Sequence, residues 1–387
     1  MGESLKKPLL NTGIKLLRIL PKREAGEIIG RLNEFRLRRL KKRNVPATLI
    51  FFITNRCNAA CTHCFFWKEL SREKDELSIV QIKKLLDTLR GLQQILITGG
   101  EPFLREEIVE ISVLFHSIGV RSVTIPTNGI LTERITNCVS QILRSTSLDE
   151  LKINVSLDGT HEVHDAIRNV PGCFDRACET IIRLKDLRET HRNLNVSVSC
   201  VLSRENISNL EEFIRVAGAL QIPLMFSFIR GADSNSFGIA PEDRMDFNPR
   251  KSKSFDEPAD FDKIQEILEK EGKTLGLASW NIFQQLKIQY SIDVLRNKKY
   301  PLTCLAGHVD GVIHSNGDVS ICELRKPVGN LKDAGMDFRK VWWSEAANNM
   351  RESAKNCCCI HGCNMLSNMQ YHEPTLKRIL LDSDFLF

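Results

Sequence analysis

Leu49-Ile50-Phe51-Phe52-Ile53-Thr54-Asn55-Arg56-Cys57-Asn58-Ala59-Ala60-Cys61-Thr62-His63-Cys64 is the stretch that decides the fold. It opens as an apolar run of strand length and passes directly into a polar loop with three cysteines at CxxxCxxC spacing. Three thiolates on one loop suit metal ligation. They can hold three irons of a cubane; such clusters normally take four cysteines, so the fourth iron is left for an outside ligand. A zinc site that borrows a distant ligand such as His63 is the competing reading. Structural core cysteines are a poorer one, because three of them in a polar loop do not distribute like packing residues.

Working outward, the run at 49–54 is the first of six. Strand-like segments recur at Gln94–Thr98, Ser122–Pro126, Leu151–Leu157, Leu194–Leu202 and Pro223–Ile229. Helical periodicity fills the intervals at 77–89, 104–118, 132–143, 174–190 and 207–220. This β/α alternation predicts an α/β fold, a partial (β/α)6 TIM-like barrel, with the loops after the strands on one common face. Residues 47–230 form that core. Residues 231–258 are rich in Asp, Ser, Asn, Gly and Pro and read as a linker, and 259–300 return to helical patterning. Residues 301–387 carry a smaller module with its own cysteines, and the tail.

Residues 1–46 read as a basic arm of two helical stretches. Leu9, Ile14, Leu16, Leu17, Ile19 and Leu20 precede a break at Pro21, and Ile28, Leu32 and Phe35 mark an apolar face in the second. Residues 1–43 hold 13 Lys+Arg against 4 Asp+Glu, a net +9, whereas the whole chain is +6 and the rest therefore −3. The positive charge belongs to the arm. A basic amphipathic helix can lie on an anionic membrane surface, which is one expectation for it; packing on the barrel is the other. With one aromatic in the arm and an acidic body, no nucleic-acid partner is expected. The chain has no apolar run of membrane-spanning length and no secretory signal pattern, which points to the cytoplasm, with at most peripheral membrane contact. Its 13 cysteines are odd in number and clustered, which in a reducing compartment favours metal ligation over disulfides.

Further motifs fall on the strand ends in order: Thr98-Gly99-Gly100-Glu101-Pro102 after the second strand, Thr127-Asn128-Gly129 after the third, Ser156-Leu157-Asp158-Gly159 after the fourth, then His164-Asp165-Ala166-Ile167-Arg168. Each has an ordinary reading as a turn or a helix start. Together with CxxxCxxC they resemble the radical S-adenosylmethionine (radical SAM, AdoMet) superfamily across about residues 47–230. The resemblance implies a 4Fe-4S cluster on Cys57, Cys61 and Cys64 that binds AdoMet. It also implies AdoMet contacts from Gly99, Gly100 and Glu101 (amino group), Asn128, Ser156 and Asp158 (ribose) and Arg168 (carboxylate). The chain departs at His63, where relatives often place an aromatic near adenine, a contact Phe65 would take over, and at Asn169, where relatives often have Gly.

Cys304, Gly317 and Cys322 frame a hairpin turning at Asn316-Gly317, and Cys357-Cys358-Cys359-Ile360-His361-Gly362-Cys363 follows. This resembles a shortened SPASM, or twitch, module. It implies one auxiliary iron–sulfur cluster with Cys304, Cys322, Cys357, Cys359 and Cys363 as candidate ligands. Adjacent cysteines cannot all face one cubane, so one or two are spare. Cys138, Cys173, Cys178 and Cys200 read as packing residues.

The expectation is an enzyme that cleaves AdoMet reductively and abstracts hydrogen from a substrate, with a flavodoxin or ferredoxin as electron donor. A small metabolite, a sugar or a lipid-linked molecule fits best. The arm is short and basic for the leader-binding module of peptide maturases, and no Gly-Gly tail of a molybdenum-cofactor cyclase is present. No catalytic acid or base is identified. The alternative class is a non-catalytic protein with two zinc knuckles, which would need none of the Gly-Gly-Glu, Asn-Gly or Asp-Gly motifs.

Overall fold

The computed structural model describes residues 17–70, 76–231, 236–237, 239–252, 255, 258–274 and 282–381. Six strands pair side by side in chain order, all parallel: β1 (Thr48–Thr54), β2 (Gln94–Gly99), β3 (Ser122–Thr127), β4 (Glu150–Ser156), β5 (Leu194–Leu202) and β6 (Leu224–Phe228). Helices Ile79–Leu86, Ile108–Ser117, Thr132–Ser145, Cys173–Thr190 and Leu210–Gly218 make the crossovers. The sheet does not close on itself, since β6 pairs only with β5.

Side chains alternate across the strands as a pleat requires. On β4, Leu151, Ile153 and Val155 are fully buried towards the helices, while Lys152, Asn154 and Ser156 line the inner face. On β5, Asn195, Ser197 and Ser199 do the same. The inner face is polar, so the half-barrel encloses a cavity rather than a second hydrophobic core.

After the short β7 (Ser236–Phe237) come two helices, Pro258–Thr274 and Ile282–Asn297. The hairpin expected around Asn316-Gly317 forms from β8 (Asp310–Ile313) and β9 (Asp318–Ser320), with Gly317 at φ +95° in the turn. β8 pairs parallel to β1, β9 pairs antiparallel to β8, and β10 (Gly329–Asn330) extends the edge. The C-terminal hairpin thus continues the main sheet on the β1 side. The last strand, β11 (Cys358–Cys359), pairs with β7.

Leu9, Ile14 and Leu16 of the arm lie outside the described residues. Its second helix, Lys22–Lys41, packs on the C-terminal helix Glu373–Leu381 and the turn before it. Asn33 donates to the Tyr371 carbonyl at 2.8 Å, and the Arg36 guanidinium lies 4.7 Å from the Tyr371 ring centroid. The packed face is Ala25, Gly26, Ile29, Asn33 and Leu40. Small residues allow this approach: a Cβ on Gly30 would sit 3.1 Å from Glu373. The face expected from apolar periodicity points the other way, with Leu32 56% and Phe35 59% exposed. No helix among the described residues is long and apolar enough to cross a membrane.

Gly311 of β8 opposes Leu49 of β1, and a Cβ there would lie 2.8 Å from the Trp342 ring. Gly311→Val should cost about 2 kcal/mol by overpacking. If the hairpin and the barrel are one cooperative unit, thermal unfolding should show a single transition shifted down; a separate early transition would show two.

Candidate functional site

β1 delivers the cysteine loop. Just before it, Glu76 accepts from the Thr54 hydroxyl at 2.6 Å and the Asn55 amide at 3.2 Å. Arg105, nearly fully buried, reaches Glu76 at 2.8 Å and the Leu77 carbonyl at 2.9 Å. This clamp was not legible as a motif, because Glu76 and Arg105 belong to loops of unremarkable sequence. Further along, Thr62 N–H donates to the Ile167 carbonyl at 2.8 Å, and the Thr62 carbonyl accepts from the Lys251 amide at 2.8 Å. The loop is therefore held between the helix His161–Arg168 and the segment around Lys251.

The glycine pair after β2 is needed for contact within the protein. A Cβ on Gly99 would fall 2.3 Å from the Thr54 carbonyl oxygen, and one on Gly100 2.3 Å from that of Arg56. Gly100 and Glu101 amides donate to those same carbonyls at 2.9 and 2.8 Å. The cysteine loop thus lies directly on the Gly-Gly turn. Glu101 is almost completely buried. Its carboxylate accepts from the Thr127 hydroxyl and the Asn128 amide, both at 2.8 Å, while Asn128 also donates to Asn58 at 2.7 Å. Burial pushes the Glu101 carboxyl up to about 7, against the pull of these donors.

Arg168 joins the loop to the end of β4. Its guanidinium contacts the Asp158 carboxylate at 2.6 Å and donates to the Cys61 thiol at 3.6 Å. Asp158 is wholly buried; burial alone would raise its pKa, but Arg168, with His63 and His164, holds it low. It also accepts from the Val201 amide at 2.9 Å, and Asn206 clamps its carbonyl at 2.7 Å. Burial lowers His63 to about 4, so it is neutral. Asn169 takes the left-handed conformation at φ 54° as the helix cap. That conformation favours Gly and is tolerated by Asn, which accounts for the departure at this position.

Cys57, Cys61, Cys64, His63, Phe65, Gly99, Gly100, Glu101, Asn128, Ser156 and Arg168 all line one cavity of about 790 Å³. Asp158, expected at the ribose, does not: it stands behind Arg168. The cavity's charged groups escaped sequence reasoning. Arg230, just past β6, lies 4.6 Å from the Phe65 ring centroid and 3.3 Å from Glu323. Lys287, from the helix Ile282–Asn297, is buried, which lowers it to about 8. The position of Arg230 at a strand's carboxyl end was the one available signal.

The C-terminal cysteines divide. In β11, Cys357 and Cys359 share a side and interact through their thiols, whereas Cys358 alternates away. Burial, and after it Cys304 and Cys357, push the Cys322 thiol well up. Cys304, Cys322, Cys357 and Cys359 thus form one buried quartet. Cys363 stands apart, on the cavity wall with Glu323, Arg230 and Lys287. Zinc ligands stand about 3.3–3.8 Å apart. Among the described residues, no three of the thiols in either cysteine group approach one another within 4.8 Å, so neither is set for a zinc knuckle.

Residues 51–217 match the Radical SAM superfamily model. The chain belongs to the radical SAM superfamily. Its family uses a 4Fe-4S cluster and AdoMet, and its members named here are enzymes. Over 199 residues this radical SAM chain is 33% identical to the mycofactocin maturase MftC of Mycolicibacterium smegmatis, covering 49% of this chain and 47% of that protein. Over 316 residues it is 27% identical to the AdoMet-dependent heme synthase of Methanosarcina barkeri, covering 77% and 82%. The chain spans about half the length of the first curated relatives it matches. Among solved structures, Streptococcus suis SuiB bound to S-adenosylmethionine superposes with TM-score 0.56 at 14% identity, covering 83% of this chain and 71% of that one. The enzyme anSMEcpe with bound AdoMet gives 0.53 at 18%, covering 80% and 84%. These two share the fold.

Asp158→Ala should leave the Arg168 guanidinium buried without its carboxylate, a loss of about 3–5 kcal/mol. A marked drop in the thermal midpoint of the cluster-free protein is expected. Unchanged stability with weakened AdoMet binding would instead make Asp158 a ligand contact.

Proposed function

We propose that this chain cleaves AdoMet at a 4Fe-4S cluster held by Cys57, Cys61 and Cys64 and uses the resulting radical to take hydrogen from a substrate in the same cavity. What carries the reading is that the three thiols, the Gly99-Gly100-Glu101 turn and Asn128, Ser156 and Arg168 share one wall. The residues fit the group. Three thiols leave one iron open, and the buried Nδ1 of His63 and Nε of Arg168 have no hydrogen-bond partner among the described residues. The cluster and AdoMet, when bound, supply the radical. The protein's part is to orient and to exclude water. Glu101 offers a buried carboxylate for an ammonium group. Arg168 sets a cation beside Cys61, favouring thiolate, and Phe65 with His63 gives a flat apolar surface. Arg230 and Lys287 suit a substrate with an anionic group. The cavity is near the upper end of the about 300–1,000 Å³ usual for small-molecule sites, so AdoMet and a small polar substrate fit together. The quartet Cys304, Cys322, Cys357 and Cys359 would hold an auxiliary cluster, and a flavodoxin or ferredoxin would deliver the electron. A peptide substrate is the second reading, on the strength of SuiB, one of whose structures is bound to the precursor peptide SuiA.

Reconstituted protein should hold about eight irons, four per cubane. Replacing Cys57, Cys61 and Cys64 together with Ala should remove about four and abolish 5′-deoxyadenosine formation. Continued formation at the normal rate would refute the assignment.

The arm supports a place for the enzyme at an anionic membrane surface from the cytoplasmic side. On the helix Lys22–Lys41 the exposed Ile28, Leu32 and Phe35 line up at helical spacing, with Arg31, Arg38, Arg39 and Lys42 exposed around them. Each such cation contributes about 1 kcal/mol near anionic lipid. The protein should float with phosphatidylserine vesicles at low salt, and L32E/F35E should not, with unchanged thermal stability. Equal flotation of both would remove the helix from any membrane role.

A further inference from the structure

His361 is fully buried, and both its ring nitrogens face oxygen atoms: Nδ1 faces Oδ1 of Asn364 and Nε2 faces Oε2 of Glu323. The amide of Asn364 can be oriented from its other end, where Nδ2 donates to the Asp310 carboxylate at 3.0 Å. The reverse placement would set amide oxygen against carboxylate oxygen. Oδ1 therefore accepts from His361, so Nδ1 carries the proton. That leaves Nε2 with its lone pair aimed at a carboxylate. Two lone pairs facing each other in a buried site require a cation between them. Cys363 adds a third donor, and the ligand atoms of Glu323, His361 and Cys363 all lie within 4.8 Å of one another.

We propose that Glu323, His361 and Cys363 bind one divalent metal ion of the zinc class, separate from both cysteine groups. The donor set is one thiolate, one imidazole and one carboxylate, whose two negative charges neutralise the ion. Asn364 and, behind it, Asp310 orient the imidazole, as outer partners of metal-bound histidines do. Ser367 holds the other Asp310 oxygen at 3.0 Å. Three protein ligands leave a fourth position, and since Glu323 and Cys363 line the cavity, that position opens into it. This is the arrangement of a zinc ion that binds a reactant rather than one that only braces a fold. With Arg230 3.3 Å from Glu323 and Lys287 on the same wall, the ion would take an anionic oxygen donor, such as a carboxylate, of the substrate. The inference deepens the proposed radical function by giving the substrate an anchor, but metal binding does not depend on AdoMet cleavage.

The test uses full-length protein whose iron–sulfur sites have first been filled anaerobically, so that free cysteine groups do not capture the added metal. After equilibration with zinc chloride and desalting, about one zinc per chain should remain, with the iron content unchanged. X-ray absorption at the zinc edge should show one sulfur at about 2.3 Å with nitrogen and oxygen completing the shell. His361→Ala and Glu323→Gln should each weaken zinc retention at least tenfold while keeping the iron. No retained zinc, or equal retention in both variants, would overturn the site, as would an all-sulfur shell. Loss of about four irons from Cys363→Ser would overturn it too, by making Cys363 a cluster ligand. The absorption spectrum of the wild type decides the matter even if a variant does not fold. Normal zinc binding without AdoMet cleavage would sink the radical function and leave the metal site standing.

Discussion

A single buried cation holds the site together. The Arg168 guanidinium lies between the Asp158 carboxylate and the Cys61 thiol, and neither neighbour would be stable without it. A carboxylate with no exposed surface needs a counter-charge, and a loop of three thiols asked to ionise needs one as well. The backbone reinforces the link, since the carbonyls of Ile167 and Arg168 accept from Thr62 and Ala60. β5 reinforces it again through the Val201 amide and the Asn206 side chain on Asp158. The position of the cysteine loop is thus set from the far end of β4 as much as from β1, on which it is carried.

Much of this was open to a reader of the sequence. The strands were legible because each combines an apolar run with a turn signal, and the motifs because they fall on strand ends in order. The role of Gly99-Gly100 was legible only in part. Two glycines announce a close approach, but not which backbone approaches, and here it is the loop from Thr54 to Cys57. Asp158 was placed at the cavity because it belongs to a strand-end motif; one residue's pleat turns its side chain behind Arg168. The packed face of the arm was misjudged because close helix contact is made by small residues, Ala25, Gly26 and Gly30, which a search for large apolar side chains passes over. Arg230, Lys287, Glu323 and His361 come from four separate segments, and no spacing rule connects them.

The polar inner face has an energetic consequence. A sheet that buries only its outer face forgoes half the apolar contact available to a filled barrel. The inner residues offset this by bonding to one another: Ser197 to Asn154 at 2.8 Å, Asn195 to Glu150 at 2.7 Å, and Lys152 to Glu150 at 2.9 Å. The lining is therefore ordered before any ligand arrives, which reduces the ordering entropy a ligand must offset on binding.

β8 and β9 carry the second group of cysteines into the same hydrogen-bonded sheet as the first. A separate domain joined by a linker could swing, bringing the two groups together and apart as part of a working cycle. Here neighbouring strands are spaced by their ladder, and β1 and β8 are neighbours. The gap between Cys57 and Cys322 is accordingly a fixed length written into the strand order. Any exchange of electrons across it would be governed by the charges and potentials at either end, with no moving part to open or shut the path.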